Sequence, residues 1–234
     1  ELDNGMTVGI SFVLDQGDNE TSAATSEGTA PFDSHSVSIG SDALGTLVLH
    51  GEGGSSAQAA IDTTAAGDIW DTFDDATQAV GTKVNTSTSG ADLLHYTLPS
   101  IVDGVALMAS YSPQESGHAS STAWAATYTG VEGLSVSYGI GNQDASSAAE
   151  GDTTTLSASY AYGSFTVAYS NNDHQTETAD EDQETTSYKV SYTVSDAISV
   201  TYGEEEVDEQ GETTNAEYSK LSASYTSGGM TLTA

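Results

Sequence analysis

Residues 188–203 read YKVSYTVSDAISVTYG, and the order of apolar and polar residues in this stretch decides the fold. Large apolar side chains occupy every second position, and the residues between them are small or polar. Successive side chains of a β-strand point to opposite faces, so this order predicts two strands joined by a short turn at Ser195–Ala197. Each strand has an apolar face and a polar face. The apolar positions are Tyr188, Val190, Tyr192, Val194, Ile198, Val200 and Tyr202.

The same alternation recurs along the chain, for example in Met6–Leu14 and Leu134–Ile140. The connectors between the predicted strands alternate between short and long. The short ones are residues 40–43, 99–104, 130–133, 162–164, 195–197 and 227–229, and the long ones are residues 15–34, 51–91, 112–121, 141–152, 170–184 and 203–215. Short turns at one end and long loops at the other are typical of outer-membrane β-barrels.

Tyrosines sort by the kind of connector that they precede. Tyr96, Tyr128, Tyr162, Tyr192 and Tyr225 come before short turns, whereas Tyr111, Tyr138, Tyr169 and Tyr202 come before long loops. Tyr and Trp favour the two membrane interfaces, because the ring is apolar while its polar group is hydrated. The pattern predicts two aromatic girdles around an apolar band, with Trp124 on the loop side.

Charge and composition narrow the function. The chain has 234 residues, no Cys, and 35 acidic against 3 basic residues, which gives a formal net charge of -32. Such a charge repels polyanions, so nucleic acid is not expected as a partner. No apolar stretch reaches the roughly 18 residues that a transmembrane helix needs. Membrane insertion would therefore depend on strands.

Two other classes compete with the membrane barrel. A soluble β-sandwich or an acidic adhesin also shows alternating strands and frequent turns, but it does not require long and short connectors to alternate. An enzyme would need a nucleophile and a base, and the sequence contains no G-x-S-x-G motif. We therefore do not predict an enzyme.

Four segments carry a resemblance to a known family. VSIGSDALGTLVLHG at Val37–Gly51, LHYTLPSIVDGVALMASYSP at Leu94–Pro113, YTVSDAISVTYG at Tyr192–Gly203 and LSASYTSGGMTLTA at Leu221–Ala234 resemble Gram-negative general porins, especially the alphaproteobacterial type. The resemblance covers the whole chain but includes no short catalytic motif. It implies an all-β, transmembrane, antiparallel up-and-down β-barrel in the bacterial outer membrane, in contact with the lipid bilayer, and a homotrimer.

In such porins the third external loop folds into the barrel and narrows the pore, and residues 51–91 resemble that loop. Residues 1–234 would then be a single, incomplete barrel domain with about 13 of about 16 strands. We expect about two strands before this stretch and about one after it, because an open sheet edge in lipid is costly.

Within that connector, Ala57–Asp75 predicts a short helix with an apolar side at Ile69, Trp70 and Phe73. The apolar side would dock on the inner wall, and carboxylates would face the lumen as the pore constriction. The constriction residues are Asp62, Asp68, Asp71, Asp74 and Asp75. A solvated loop face without a role in selectivity is the alternative.

Carboxylate clusters also bind Ca²⁺. The candidate ligands are Asp71, Asp74 and Asp75, or Asp15, Asp18 and Glu20. Neither set has EF-hand spacing, so Ca²⁺ stays without an assigned site, and no other metal or cofactor is predicted.

The sequence thus predicts a porin, a water-filled channel for passive diffusion of small hydrophilic solutes that prefers cations, since carboxylates in a narrow passage concentrate cations. A non-conducting structural or surface-layer β-barrel, or an adhesin, is the alternative. General porins usually oppose their acidic loop with an arginine cluster on the facing wall. This chain has no Arg, and its basic residues are Lys83, Lys189 and Lys220.

Overall fold

The protein is all-β. The computed structural model describes residues 5–14, 32–61, 64–67, 69, 92–114, 119–144, 151–176, 182–227 and 229–234. Thirteen strands run through these residues: β1 Thr7–Leu14, β2 Phe32–Ser41, β3 Gly45–Glu52, β4 Leu93–Thr97, β5 Val105–Ser112, β6 Ser121–Tyr128, β7 Leu134–Gln143, β8 Gly151–Tyr162, β9 Phe165–Thr176, β10 Gln183–Ser195, β11 Ile198–Glu209, β12 Ala216–Ser227 and β13 Met230–Thr233.

The strands form one sheet in which the order in space is the order in sequence, from β1 to β13. Each strand pairs antiparallel with the next, as in Val190 opposite Tyr202 and Tyr202 opposite Leu221. This up-and-down arrangement and the number of strands confirm the sequence prediction. Among the described residues no helix is long and apolar enough to cross a membrane.

The two faces of the sheet differ as the alternation predicts. We call the face with Val8 and Val190 the apolar face and the opposite one, with Ser170 and Ser187, the polar face. Val8 is 51% exposed and Val190 is 47% exposed, whereas Ser170 and Ser187 are fully buried. A soluble sandwich would cover the apolar face with a second sheet, but all described strands belong to this one sheet. The sandwich interpretation is therefore wrong.

Aromatic side chains cluster at both ends of the apolar face. Near the short turns, the rings of Phe165 and Tyr192 lie 4.6 Å apart. Near the long loops, the rings of Tyr169 and Tyr188 lie 5.2 Å apart. Trp124 is 61% exposed on the same face. These pairs place aromatic rings on either side of an apolar band, as membrane interfaces require.

The strands are longer than the sequence predicted on the loop side. Residues 171–176 and 204–209 were predicted as loops, but they extend β9 and β11. Apart from Val207, these segments consist of polar residues, so the alternation of apolar and polar residues ends before the strand does. Backbone pairing needs no apolar side chains once a strand leaves the membrane, which explains why hydrophobic periodicity underestimates the strand length.

One turn shows why glycine is needed at the short end. Gly133, in the turn between β6 and β7, has φ of 76°. A Cβ atom there would lie 2.2 Å from the Ala161 carbonyl oxygen of the neighbouring hairpin. The left-handed backbone and the close approach together exclude any side chain at this position.

Contact between the apolar face and the membrane can be tested by placing a charged side chain on that face. Val190 lies on the apolar face between Tyr188 and Tyr192, and the next residue, Ser191, lies on the polar face. We expect Val190→Arg to lower the free energy of unfolding by about 2–4 kcal/mol, because a charge at mid-depth in the bilayer is poorly solvated. Denaturant titration of protein folded into lipid vesicles measures the change.

The matched control is Ser191→Arg, which adds the same side chain one residue away on the opposite face. We expect this variant to lower the free energy of unfolding much less, since its charge remains in water. If the two variants lowered the free energy of unfolding equally, or if Ser191→Arg lowered it more, the assignment of the apolar face to lipid would be wrong.

Candidate functional site

Part of the long connector between β3 and β4 lies on the polar face of the sheet. We call its described residues 55–61, 64–67 and 69 the docked segment. Ala57, Gln58 and Ile69 are each no more than 2% exposed. The docked segment is thus buried against the wall of the sheet although it forms no strand that could pair with the wall.

Serine hydroxyls of the wall accept hydrogen bonds from the backbone of the docked segment. The amide of Ala57 donates to Ser110 Oγ of β5 at 2.9 Å. The amide of Ala65 donates to Ser170 Oγ of β9 at 2.8 Å, and that of Ala66 donates to Ser187 Oγ of β10 at 2.8 Å. A buried amide without a partner costs free energy, and these hydroxyls supply the acceptors. The wall therefore fixes the path of the segment across several strands.

A side-chain network adds a fourth attachment. Gln58 Nε2 donates to Thr155 Oγ1 of β8 at 2.7 Å. The same oxygen accepts from Asn172 Nδ2 of β9 at 2.8 Å. Since Gln58, Thr155 and Asn172 are almost completely buried, water does not compete with these bonds, and they contribute more than exposed ones would.

Two wall glycines give the docked segment the room to approach. A Cβ atom at Gly139 would lie 2.6 Å from Ile61 Cδ1 and 3.2 Å from Gln58 Cα. A Cβ atom at Gly203 would lie 2.9 Å from Ala66 Cβ and 3.0 Å from Ile69 Cδ1. Larger residues at these two positions would push the segment away from the wall.

Small apolar contacts complete the attachment at both ends of the docked segment. Ala57 and Ile61 pack on Ala123 and Ala125 of β6, with Met108 at the edge. Farther along the segment, Ile69 packs on Val207 of β11 and Tyr218 of β12. The prediction that Ile69 faces the wall is confirmed, while Trp70 and Phe73 lie outside the described residues.

The helix predicted for Ala57–Asp75 is wrong for the part that can be described. The amide of Ala60 bonds to the Ser56 carbonyl at 2.9 Å and that of Ile61 to the Gln58 carbonyl at 3.1 Å, which closes one turn only. Bonds from Ala57, Ala65 and Ala66 to wall serines replace intrahelical bonds. The sequence pattern could not show this, because the acceptors are far away along the chain.

All five predicted constriction residues lie outside the described part of the chain. They are Asp62, Asp68, Asp71, Asp74 and Asp75, and their role stays a prediction. The two sets of candidate Ca²⁺ ligands lie outside it as well. Within the described ranges, no group of three or more His, Asp or Glu side chains could hold a metal ion.

The sequence did not identify the wall residues that hold the docked segment. Ser110, Ser170 and Ser187 are three of many serines in the chain, and no spacing distinguishes them. Their shared feature is that they lie on the polar face, which the alternation does predict. Only the folded position of the docked segment shows which of the polar-face hydroxyls are used.

A family model described as Gram-negative porin matches residues 1–234. A comparison with curated proteins finds no match.

Several solved porin structures are similar. A complex of Salmonella typhi OmpF with daunomycin has a TM-score of 0.64 at 13% identity, over 97% of this chain and 76% of that one. A mutant of the Rh. blastica porin has a TM-score of 0.59 at 17% identity, over 96% and 76% of the two chains. Another porin has a TM-score of 0.57 at 19% identity, over 83% and 71%. At these identities the likeness shows the fold.

The serine contacts lead to a prediction about the docked segment. We expect Ser170→Ala together with Ser187→Ala to leave the amides of Ala65 and Ala66 without acceptors, at a cost of about 1–3 kcal/mol for each. The segment should then leave the wall more often. Hydrogen exchange, measured by mass spectrometry on peptides covering residues 57–69, should become at least about tenfold faster.

Ser191→Ala is the matched control, because the Ser191 hydroxyl bonds to Thr201 Oγ1 at 2.9 Å on the same face and touches no part of the docked segment. Exchange in this control should stay at the wild-type rate. If the double variant also exchanged at that rate, the serines would not hold the segment.

Proposed function

The chain belongs to the Gram-negative porin family, and on that premise we propose that its outer-membrane barrel passes small hydrophilic solutes by passive diffusion and prefers cations. The observation that carries this proposal is the orientation of the sheet. Its apolar face is exposed, as lipid contact demands, and its polar face bears small side chains. When a barrel closes around such a face, the interior is a water-filled lumen.

Hydroxyl groups make the lumen wall hydrophilic without filling it. On neighbouring strands Thr127 and Ser137 lie 2.9 Å apart between their side-chain oxygens, and Ser199 and Ser224 lie 2.7 Å apart. These side chains are short, so they present hydrogen-bonding groups to water and to solutes but leave the bore open. Such a wall supports diffusion of hydrophilic solutes without a dedicated binding pocket.

The docked segment supports a narrowing of this passage. It belongs to the longest connector, residues 51–91, and it crosses the polar face from β5 to β12 through the contacts of Ala57 and Ile69. Any chain on that face takes up part of the lumen cross-section. We therefore propose that the connector sets the width of the bore, like the third external loop of general porins.

Cation preference rests on charge. The formal net charge of -32 creates a negative potential around the whole protein, and a low-dielectric wall focuses that potential in the passage. We propose that carboxylates of the connector carry most of the effect at the narrowest point. The residues proposed are Asp62, Asp68, Asp71, Asp74 and Asp75.

We also propose a homotrimer, the assembly that is typical of the family. Native mass spectrometry of the protein in detergent should give the mass of three chains. A mass of one chain under the same conditions would contradict the trimer and leave the channel proposal intact.

Planar-bilayer recording tests the channel itself. Pure, folded full-length protein should produce discrete single-channel steps in KCl, since each inserted barrel opens one aqueous passage. A folded protein without conductance would instead be a structural barrel, and the proposed function would be wrong.

Selectivity is tested by the reversal potential across a KCl gradient. We expect the wild-type protein to favour K⁺ over Cl⁻. Asp68→Asn, Asp71→Asn and Asp75→Asn combined should bring the reversal potential closer to zero, because these substitutions remove negative charge from the passage.

The chain offers a control that changes the net charge by the same amount at the other end of the barrel. Asp42, Asp103 and Asp196 are exposed residues of the short turns. Their replacement by Asn should shift the reversal potential much less than the loop substitutions do. Equal shifts would mean that overall charge, and not the connector, determines selectivity.

A further inference from the structure

The apolar face carries a hollow at its loop end, across strands β6 to β9. Ile140 of β7 lies opposite Trp124 of β6 in one row of residues. In the next row toward the long loops, Asn142 lies opposite Asp152 of β8, and Asp173 of β9 lines the far side. We call this place the interface hollow. Its volume is about 460 Å³, which is within the range of small-molecule sites.

One wall of the interface hollow is aromatic and apolar. Trp124 is 61% exposed, and Ile140 beside it is 44% exposed. A tryptophan at a membrane interface needs only an apolar and a hydrated side. Here its ring also borders a hollow whose opposite wall is polar. The face of a sugar ring carries C–H groups that pack well on such a ring.

The opposite wall presents two carboxylates that neighbouring amides hold in place. Asn142 Nδ2 donates a hydrogen bond to Asp152 Oδ1 at 2.7 Å. Gln175 Nε2 donates to Asp173 Oδ2 at 3.2 Å. Each of these bonds uses one oxygen of a carboxylate, so the other oxygen can accept a hydrogen bond from a ligand hydroxyl. The hollow thus combines a flat apolar surface with positioned acceptors.

Charge restricts the kind of headgroup that fits. A phosphate would be repelled by Asp152 and Asp173, and the two lysines of the described chain, Lys189 and Lys220, lie on the polar face. A metal ion is not favoured either, since the described ranges hold no group of three or more His, Asp or Glu side chains that could bind one. A neutral group rich in hydroxyls, such as a sugar ring, matches both walls.

An apolar groove of about 360 Å³ lies on the same face, farther toward the short turns. Ala158 of β8 forms its floor, and larger side chains such as Tyr160 and Val167 project beside it. Ala158 follows Thr154 of the interface hollow by four residues, a distance of about 13 Å along a strand. Because the long loops of such barrels are external, the hollow lies at the external interface and the groove in the hydrocarbon layer.

From these two features we infer that the interface hollow binds the sugar headgroup of a glycolipid in the external leaflet, and that the groove takes one of its acyl chains. The sugar ring packs on Trp124, and its hydroxyls donate to Asp152 and Asp173. A free sugar would occupy the hollow alone, whereas a glycolipid uses both features of the face. The inference goes beyond the proposed function, since it concerns the outer surface of the barrel and not the passage.

Native mass spectrometry of the full-length protein, in a detergent without a sugar headgroup, measures the binding. The probe is dimyristoyl monogalactosyl diacylglycerol, and phosphatidylcholine with the same acyl chains is the reference. We expect the wild-type protein to bind one galactolipid per chain at least about tenfold more tightly than the reference, through the aromatic contact and two hydrogen bonds to carboxylates.

Two variants remove the two walls of the interface hollow. Trp124→Ala should lower the galactolipid affinity about three- to tenfold. Asp152→Ala together with Asp173→Ala should lower it at least about tenfold, because hydrogen bonds to charged groups are lost. Trp124→Tyr keeps an aromatic ring and should keep most of the affinity. The circular-dichroism spectrum of the sheet shows that each variant has folded.

Matched controls change the same residue types outside the hollow. Tyr202→Ala removes an exposed aromatic side chain of the loop-side girdle, and Glu206→Ala with Glu217→Ala removes two exposed carboxylates of the same face. These variants should bind the galactolipid like the wild-type protein. Equal affinity for the two lipids, wild-type affinity in Trp124→Ala, or equal losses in the controls would overturn the inference. Methyl galactoside that bound as tightly as the galactolipid would also overturn it, because the acyl chain would then contribute nothing.

Discussion

The structure depends on one constraint: a sheet in contact with lipid must satisfy every backbone hydrogen bond through its neighbouring strands. Strands β2 to β12 do this by pairing with both neighbours in sequence order, with continuous antiparallel registers such as Thr153–Tyr162 against Phe165–His174. Once the backbone is satisfied by pairing, the two faces are independent of each other. The apolar face has only to match the membrane, and the polar face is available for function.

That independence explains the composition of the wall. A protein that buries a core between two sheets needs large side chains on the inner faces, but here the inner face contacts water and one docked segment. Serine, threonine and glycine suit both partners. At Ser110, Ser170 and Ser187 the hydroxyl accepts a hydrogen bond from the segment, and at Gly139 and Gly203 the absent side chain leaves room for it. The polar face thus determines where the docked segment lies.

Charge on this scaffold acts at two ranges. The excess of acidic residues sets a potential that any approaching solute meets, whatever its size. A single charged side chain on the lumen wall acts only on a solute that comes close to it. For such a side chain, its position on the sheet matters more than the net charge of the protein. Lys189 and Lys220 count little in the net charge of -32, yet the register places them on either side of Gly203 beside the docked segment. A strongly acidic protein thereby has two positive charges on the polar face of its sheet.

The sequence alone determined the class of the fold, because periodicity of two and alternating connector lengths are local properties that the membrane imposes on each strand. Thus Val190 and Ser191 could be assigned to opposite faces from their positions, and the short turns from residues such as Gly133. The tertiary structure decided the rest. It extended β9 and β11 into predicted loops, replaced the helix expected from Ala57 by bonds to wall serines, and placed Lys189 and Lys220 on either side of Gly203. These features depend on strand register and on contacts between residues far apart in the chain, and no local pattern encodes such contacts.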